Sequence, residues 1–363
     1  MAKLDNLFRL LKEKKGSDLH MVVGQPPKMR RHGKIEDIEG FDVFTIESMR
    51  DWLTEILTPD QKKVYENDND LDFAYALEGV ARFRANFFRQ SNGQAAVFRI
   101  IPEKIVPLAE LNLPPVLGTL ADLDRGLVLV TGPTGSGKST TLASIINEVN
   151  ERHRKHIITV EDPIEFVHPP KQCVISHREV GTHCTSFESA LKAAVREDPD
   201  VILVGEMRDL ETIRLALTAA EMGFLVFGTL HTNSAAKTID RIVDVFPATQ
   251  QSGVRTMLAG SLNAVVSQLL VRTVDGNGRC GVNEILLSSS GLGNAIREGN
   301  VNMIKSLIQA GGQRGMQLMD DAMEKLVAAG KASPEDAYSK ATEKPRFQKY
   351  LKPQMAGAGA GHH

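Results

Sequence analysis

Residues 132–139 read Gly-Pro-Thr-Gly-Ser-Gly-Lys-Ser: a glycine, four residues, then Gly-Lys-Ser. Glycines at this spacing let successive backbone N–H groups turn inward around a polyphosphate. Pro133, Thr134, Gly135, Ser136 and Gly137 would form the cradle. Lys138 would reach the β- and γ-phosphates of ATP, and the Ser139 hydroxyl would ligate Mg²⁺. Leu127–Val130, just upstream, is a short apolar run that reads as a buried parallel strand. Thr140, which closes the loop, starts a segment with helical spacing that runs to Val149. The loop therefore sits between strand and helix, and the helix turns its positive end toward the phosphates. A chance glycine-rich turn would lack that context.

Three more chemical groups fall at the ends of apolar runs. Thr159-Val160-Glu161-Asp162-Pro163-Ile164-Glu165 puts carboxylates at a strand end, where one of them, Glu161 foremost, can orient or deprotonate a water. A solvated Asp-Pro turn is the plainer reading. The run Val201–Val204 leads into Gly205-Glu206-Met207-Arg208-Asp209. Phosphate-loop enzymes commonly end this strand with a metal-binding Asp. Gly205 takes that place here, so Glu206 must serve the metal through water, polarise the nucleophile, or both. Asp209 reads as the N-cap of a helix from Leu210 to Met222, closed by Gly223. Leu225–Leu230 delivers His231-Thr232-Asn233. A lone histidine is usually structural, but one at a fourth parallel strand end can report a γ-phosphate by hydrogen bonding.

These ends need a scaffold. From about Leu117, apolar strands at Leu127–Val130, Ile157–Val160, Val201–Val204 and Leu225–Leu230 alternate with helices, which predicts a parallel sheet covered on both faces. Helices are expected to dominate from Ala248 to Tyr350, apart from a hairpin at Asp275-Gly276-Asn277-Gly278. Residues 256–271, the longest uncharged run, read as a buried helix too short to span a bilayer. Ahead of this lies a smaller α+β unit. It has an amphipathic helix over 3–15 with Leu4, Leu7, Phe8 and Leu11 on one face, and a strand at 17–23. A helix over 46–57 follows, then antiparallel strands at 71–77, 81–90 and 93–101. Pro102, Pro107, Pro114 and Pro115 mark a connector. The expected division is residues 1–101, a linker 102–121, an ATPase domain with C-terminal helices at 122–350, and a flexible, tag-like tail at 351–363.

At 363 residues the chain suits two or three domains of ~150 residues. A net charge of −2 gives no sign of a nucleic-acid binder. The three cysteines, Cys173, Cys184 and Cys280, form no CxxC pair, which suggests reduced thiols in a cytoplasmic protein. The charged start, 1–15, lacks the apolar core of a signal peptide.

Taken in order, Gly132–Thr140, the acidic box Ile158–Glu165, the Val201–Asp209 strand with Gly-Glu in place of Asp, and Gly228–Asn233 resemble the secretion ATPase family of type II secretion and type IV pili. The similarity runs from Ser17 to about Lys349. Within the family the chain looks most like the pilus-retraction branch that drives twitching motility. It begins almost directly with the smaller domain, lacks the paired CxxC of assembly and secretion relatives, and carries Ala295-Ile296-Arg297, the start of a retraction-branch box. Glu298-Gly299-Asn300 follows where that branch has Asn-Leu-Ile. The resemblance implies a PAS-like N-terminal domain, a RecA-like ATPase domain and a homohexameric ring with ATP bound between the domains. It also implies a place at the cytoplasmic face of the inner membrane, reached through a platform protein, with no nucleic-acid partner. A neighbouring subunit would complete each site. Arg82 and Arg84 share a strand face opposite Phe83 and Ala85, and with Arg99 they could supply arginine fingers or phosphate contacts. A solvated basic edge is the alternative. Arg241 resembles a position near the nucleotide, and a structural ion pair fits it equally well. Three readings stand: a retraction motor or an accessory or assembly ATPase of the same family, a nucleic-acid translocase on a RecA-like core, and a non-catalytic nucleotide-binding subunit.

Overall fold

A computed structural model describes residues 2–31, 34–101 and 104–351 of the chain. Pro102 of the expected connector and 352–363 of the expected tail lie outside the described residues. Contacts divide the chain into two compact units. One comprises the chain up to Ile105 together with Glu161–Val167 and His177–Thr185; the other comprises Val106–Val160, His168–Ser176 and the chain from Ser186 onward.

The smaller unit follows the order α1 (Lys3–Glu13), β1 (Asp18–Val22), β2 (Lys28–Arg31), β3 (Lys34–Asp37), α2 (Ile46–Thr54), α3 (Pro59–Asp68), β4 (Asp70–Leu77), β5 (Ala81–Gln90) and β6 (Gly93–Ile101). Its six strands form one sheet in the order β3-β2-β1-β6-β5-β4, with all five neighbouring pairs antiparallel. Leu4, Leu7, Phe8 and Leu11 of α1 are buried, as their spacing requires. Phe8 stacks on Phe83, ring centroids 4.1 Å apart, and meets Phe98 edge-on.

Two features of this unit differ from expectation. The helix from Ile46 stops at Thr54, and a separate helix, α3, starts at Pro59. Thr58 caps it by accepting from Gln61 N–H, and proline suits the first helical position. Only Tyr65 of α3 is buried, so apolar spacing could not reveal it. The β2–β3 hairpin, rich in charge, was likewise unexpected from apolar pattern.

The larger unit, with the last residue of β8 and the last three of β9 grouped with the smaller one, runs α4 (Val116–Thr119), β7 (Gly126–Thr131), α5 (Lys138–Arg152), β8 (His156–Glu161), β9 (Val174–Glu179), α6 (Phe187–Ala194), β10 (Val201–Val204), α7 (Leu210–Glu221) and β11 (Leu225–Leu230). It continues with α8 (Ala235–Asp244), α9 (Ala248–Ser261), β12 (Leu262–Arg272), β13 (Arg279–Leu287), α10 (Ser290–Arg297), α11 (Met303–Ala310), α12 (Met319–Ala328) and α13 (Pro334–Lys340), ending in a 3₁₀ segment, Lys344–Tyr350. Seven strands lie in the order β13-β12-β7-β11-β10-β8-β9. Strands β7, β11, β10 and β8 are parallel, and every residue of β7, β10 and β11 is buried. The fold class is the mixed α/β architecture read from the sequence, an antiparallel α+β unit and a mostly parallel phosphate-loop unit with C-terminal helices.

The uncharged run at 256–271 is a correction. It is not one helix: α9 ends at Ser261, and β12 runs on from Leu262 to Arg272. Strand β12 lies parallel to β7 and antiparallel to β13. The β-branched pair Val265-Val266 favours the strand, and burial against β7 settles it. Helices therefore dominate only after Leu287, and the Asp275–Gly278 turn joins strands of 11 and 9 residues.

Candidate active site

Ligand sites of open parallel sheets lie outside the carboxyl ends of the strands. Here β7, β11, β10 and β8 are neighbours in that order and end in the phosphate loop, His231, Glu206 and Glu161 respectively.

The loop follows β7. Gly132 and Gly137 take φ of +145° and +85°, open to glycine but strained for other residues. A Cβ on Gly132 would stand 2.3 Å from the Gln268 carbonyl oxygen, and one on Gly137 2.8 Å from Gln268 Nε2. Pro133, Thr134 and Gly135 are exposed, whereas Ser136 is buried. Lys138 opens α5, and its Nζ donates to the carbonyls of Gly132 (2.8 Å) and Pro133 (3.1 Å), across the loop. Ser139 and Thr140 follow in the first turn, half-buried.

Strand β12 supports the loop from behind. Gln268 Nε2 donates to the Ser136 carbonyl at 2.7 Å. Its Oε1 accepts from Thr141 Oγ1 at 2.8 Å and Asn283 Nδ2 at 2.9 Å. The hydroxyls of Thr131 and Ser267 lie 2.8 Å apart. Sequence reasoning placed Gln268 and Ser267 on a helix and gave them no role. The available signal was two polar residues within an apolar run, each of which needs a partner when buried.

Strands β10 and β11 bring the catalytic candidates together. Thr229 Oγ1 donates to the Gly205 carbonyl, Met207 N–H donates to the Thr229 carbonyl, and Gly132 N–H reaches the Leu230 carbonyl. Glu206 Oε1 accepts from His231 Nε2 at 2.7 Å and lies 2.5 Å from Arg208 Nε. Burial would push the Glu206 carboxyl up, but the hydrogen bonds from Arg208 and His231 hold it below the usual carboxylate range. An ionised carboxylate and the Ser139 hydroxyl are hard oxygen donors, a set that fits Mg²⁺. Asp209 caps α7: its Oδ1 accepts from Thr212 N–H and its Oδ2 from Thr212 Oγ1, each at 2.8 Å. Glu161 is buried at the end of β8 and accepts the Glu165 N–H at 3.0 Å.

Arg82, Arg84 and Arg99 lie on the face opposite Phe83, Ala85 and Phe98, and each meets a carboxylate of the smaller unit. Arg82 pairs with Glu179 at 3.2 Å, Arg84 with Asp72 at 4.0 Å and Arg99 with Asp18 at 2.8 Å. Arg84 and Arg99 are direct partners across β5 and β6. All three are thus ion-paired; Arg84 and Arg99 remain on an exposed edge, whereas Arg82 is more buried. Glu179, buried to 4% side-chain exposure, also accepts the Ile164 N–H and the Thr182 hydroxyl, and no sequence pattern singled it out. Arg241 is exposed in the last turn of α8. Ala295 and Ile296 are buried in α10, and exposed Arg297 donates to Asn294 Oδ1 at 2.7 Å.

Comparison with known proteins gives consistent matches. Residues 67–341 match the family model described as type II/IV secretion system protein. The twitching motility protein of Neisseria gonorrhoeae is 51% identical over 315 residues, covering 87% of this chain and 84% of that protein. The type IV pilus retraction ATPase PilT of Pseudomonas aeruginosa is 50% identical over 325 residues, covering 90% of this chain and 94% of that one. A crystal structure of the pilus retraction motor PilT with bound ADP superposes with a TM-score of 0.88 at 40% identity, covering 96% of this chain and 99% of that one.

Proposed function

The chain belongs to the type II/IV secretion system protein family, and on that premise we propose that it is a type IV pilus retraction ATPase. It hydrolyses ATP and uses the resulting movement to withdraw pili in twitching motility. The observation that carries the catalytic reading is the Glu206–His231 pair, 2.7 Å apart, on strand ends beside the phosphate loop.

In this reading the loop N–H groups and Lys138 bind the phosphates, as a fixed cradle for a charge-rich transition state. Glu206, held ionised, accepts a hydrogen bond from the attacking water and orients its oxygen toward the γ-phosphorus. The water oxygen bonds to phosphorus as the bond to the β–γ bridging oxygen breaks, giving ADP and phosphate. His231 Nε2–H donates a hydrogen bond to the Glu206 carboxylate at 2.7 Å and registers whether a γ-phosphate is present. Ser139 and Glu206 would hold Mg²⁺, which neutralises charge on the β- and γ-phosphate oxygens. Glu161 orients water from the neighbouring strand end. Arg82, Arg84 and Arg99 belong to the smaller unit and serve a neighbouring subunit of a homohexamer, while Arg241 contacts the nucleotide's surroundings.

No helix among the described residues is long and apolar enough to cross a membrane. Attachment to the cytoplasmic face of the inner membrane through a platform protein fits this reading. The test is Glu206→Gln. It should bind ATP with near wild-type affinity yet release no phosphate and support no twitching, whereas Lys138→Ala should lose nucleotide binding. Wild-type turnover by Glu206→Gln would overturn the role given to that carboxylate.

A further inference from the structure

One buried carboxylate outside the nucleotide site joins two helices that are distant in sequence. Glu284, on β13, is 8% exposed. Its Oε1 accepts the N–H of Ala235, the first residue of α8, at 2.8 Å. Its Oε2 accepts the N–H of Met319, the first residue of α12, at 3.4 Å. A helix start leaves N–H groups without intrahelical partners and favours a negative charge. The residue before α12 is Leu318, which offers no side-chain acceptor, so Glu284 serves this start in its place. At α8 the Ser234 hydroxyl accepts from Lys237 N–H, and Glu284 takes the first N–H.

Each helix extends the connection. The start of α8 continues directly from His231. Thr238 Oγ1 donates to the Ser234 carbonyl, so the Thr232 hydroxyl, 2.7 Å away, must donate to Thr238. The His231 turn and the first turn of α8 are thereby one hydrogen-bonded block. On α12, Asp320 accepts the N–H groups of Thr342 and Glu343, which fixes the chain beyond α13. A cavity of about 270 Å³ opens beside Ser234, Lys237, Glu284, Ile304, Met319 and Asp320. The neighbouring strand residue, Asn283, supports the phosphate loop through Gln268, so adjacent residues of β13 serve the loop and the His231 turn.

We propose that Glu284 is a positioning residue that couples the His231 turn to the C-terminal helices, transmitting the loss of the γ-phosphate from α8 to α12 through its two oxygens. The proposal rests on the reading of His231 given above. It assigns the coupling to a two-sided hydrogen bond, and each side can be cut separately.

The experiment is amide hydrogen exchange on the full-length protein with ADP and with a non-hydrolysable ATP analogue, comparing segments 232–238 and 318–324. In the wild type both segments should differ between the two nucleotides. Glu284→Gln replaces one acceptor oxygen with a donor. It should keep the difference at 232–238 and reduce that at 318–324 severalfold, the scale of one lost hydrogen bond. Met319→Pro removes the N–H from the other side and leaves Glu284 intact. Proline is tolerated at a first helical position, and Leu318 is already extended (φ −79°, ψ 154°). It should also abolish the 318–324 response, whereas Met319→Ala, which keeps the N–H, should retain it. Undiminished responses at 318–324 in Glu284→Gln and Met319→Pro would overturn the proposal, as would equal losses in Met319→Pro and Met319→Ala. No nucleotide-dependent change at 232–238 in the wild type would instead overturn the reading of the His231 turn, and this proposal with it.

Discussion

Replacing Gln268 with leucine tests whether β12 holds the phosphate loop in its binding shape. The side chain is 3% exposed and makes three hydrogen bonds, to the Ser136 carbonyl, the Thr141 hydroxyl and the Asn283 amide. Those partners are themselves buried, with exposures of 3%, 1% and 1%. Leucine fills similar space and leaves no room for a bridging water. Each buried group left without its partner costs about 1–3 kcal/mol, so the three together should cost at least about 3 kcal/mol. For a unit of 150–250 residues that lowers Tm by roughly 6–12 °C. The loop loses the bond to Ser136 inside the motif, so ADP affinity should fall about tenfold or more, the effect of one such bond. Gln268→Ala should recover part of both losses, because a water can enter and bridge. Thermal unfolding and titration with a fluorescent ADP analogue measure the two effects. A Gln268→Leu protein with wild-type Tm and wild-type ADP affinity would refute the reasoning.

Three further outcomes are expected. Arg82→Ala subunits should be inactive alone yet regain ATPase activity when mixed with Lys138→Ala subunits, since the sound arginine of one can then meet the sound loop of the other; strict catalysis within one subunit would give no recovery. Arg82→Ala also leaves buried Glu179 with fewer partners, a loss of about 1–3 kcal/mol that circular dichroism should detect as a lower Tm. Hydrogen bonds from Lys349 and Arg346 hold the Glu324 carboxyl at about 2, below its ordinary 4.5. A lowered folded-state pKa gives stability that is present above pH 4.5 and lost as pH falls toward 2. The group is close to solvent, so this amounts to about 1 kcal/mol. Glu324→Gln should flatten that part of the stability-against-pH curve measured by denaturant unfolding, and an unchanged curve would count against the pairing.

Much of the fold was legible because its signals are local. Strands β5, β6 and β11 fall at the expected bounds because their alternating or largely apolar character is a local signal, bounded by turn residues. The Asp209 cap was legible because its acceptor and donor lie three residues apart. Helix α3 was missed because it buries only Tyr65, and β12 was read as helix because a short apolar run has no period of its own.

The sequence by itself determined the phosphate loop and the order of the groups that follow it. A Gly-Lys-Ser motif between strand and helix needs nothing distant to define its geometry, and parallel strands must present their ends on one side. Only the tertiary structure decided what holds those groups in place. Gln268 meets Ser136 across 132 residues of chain, Arg82 meets Glu179 across 97, and Glu284 reaches Ala235 across 49 and Met319 across 35. A buried polar side chain must find a partner, but which one it finds depends on which strands lie side by side, and no local pattern encodes that neighbour.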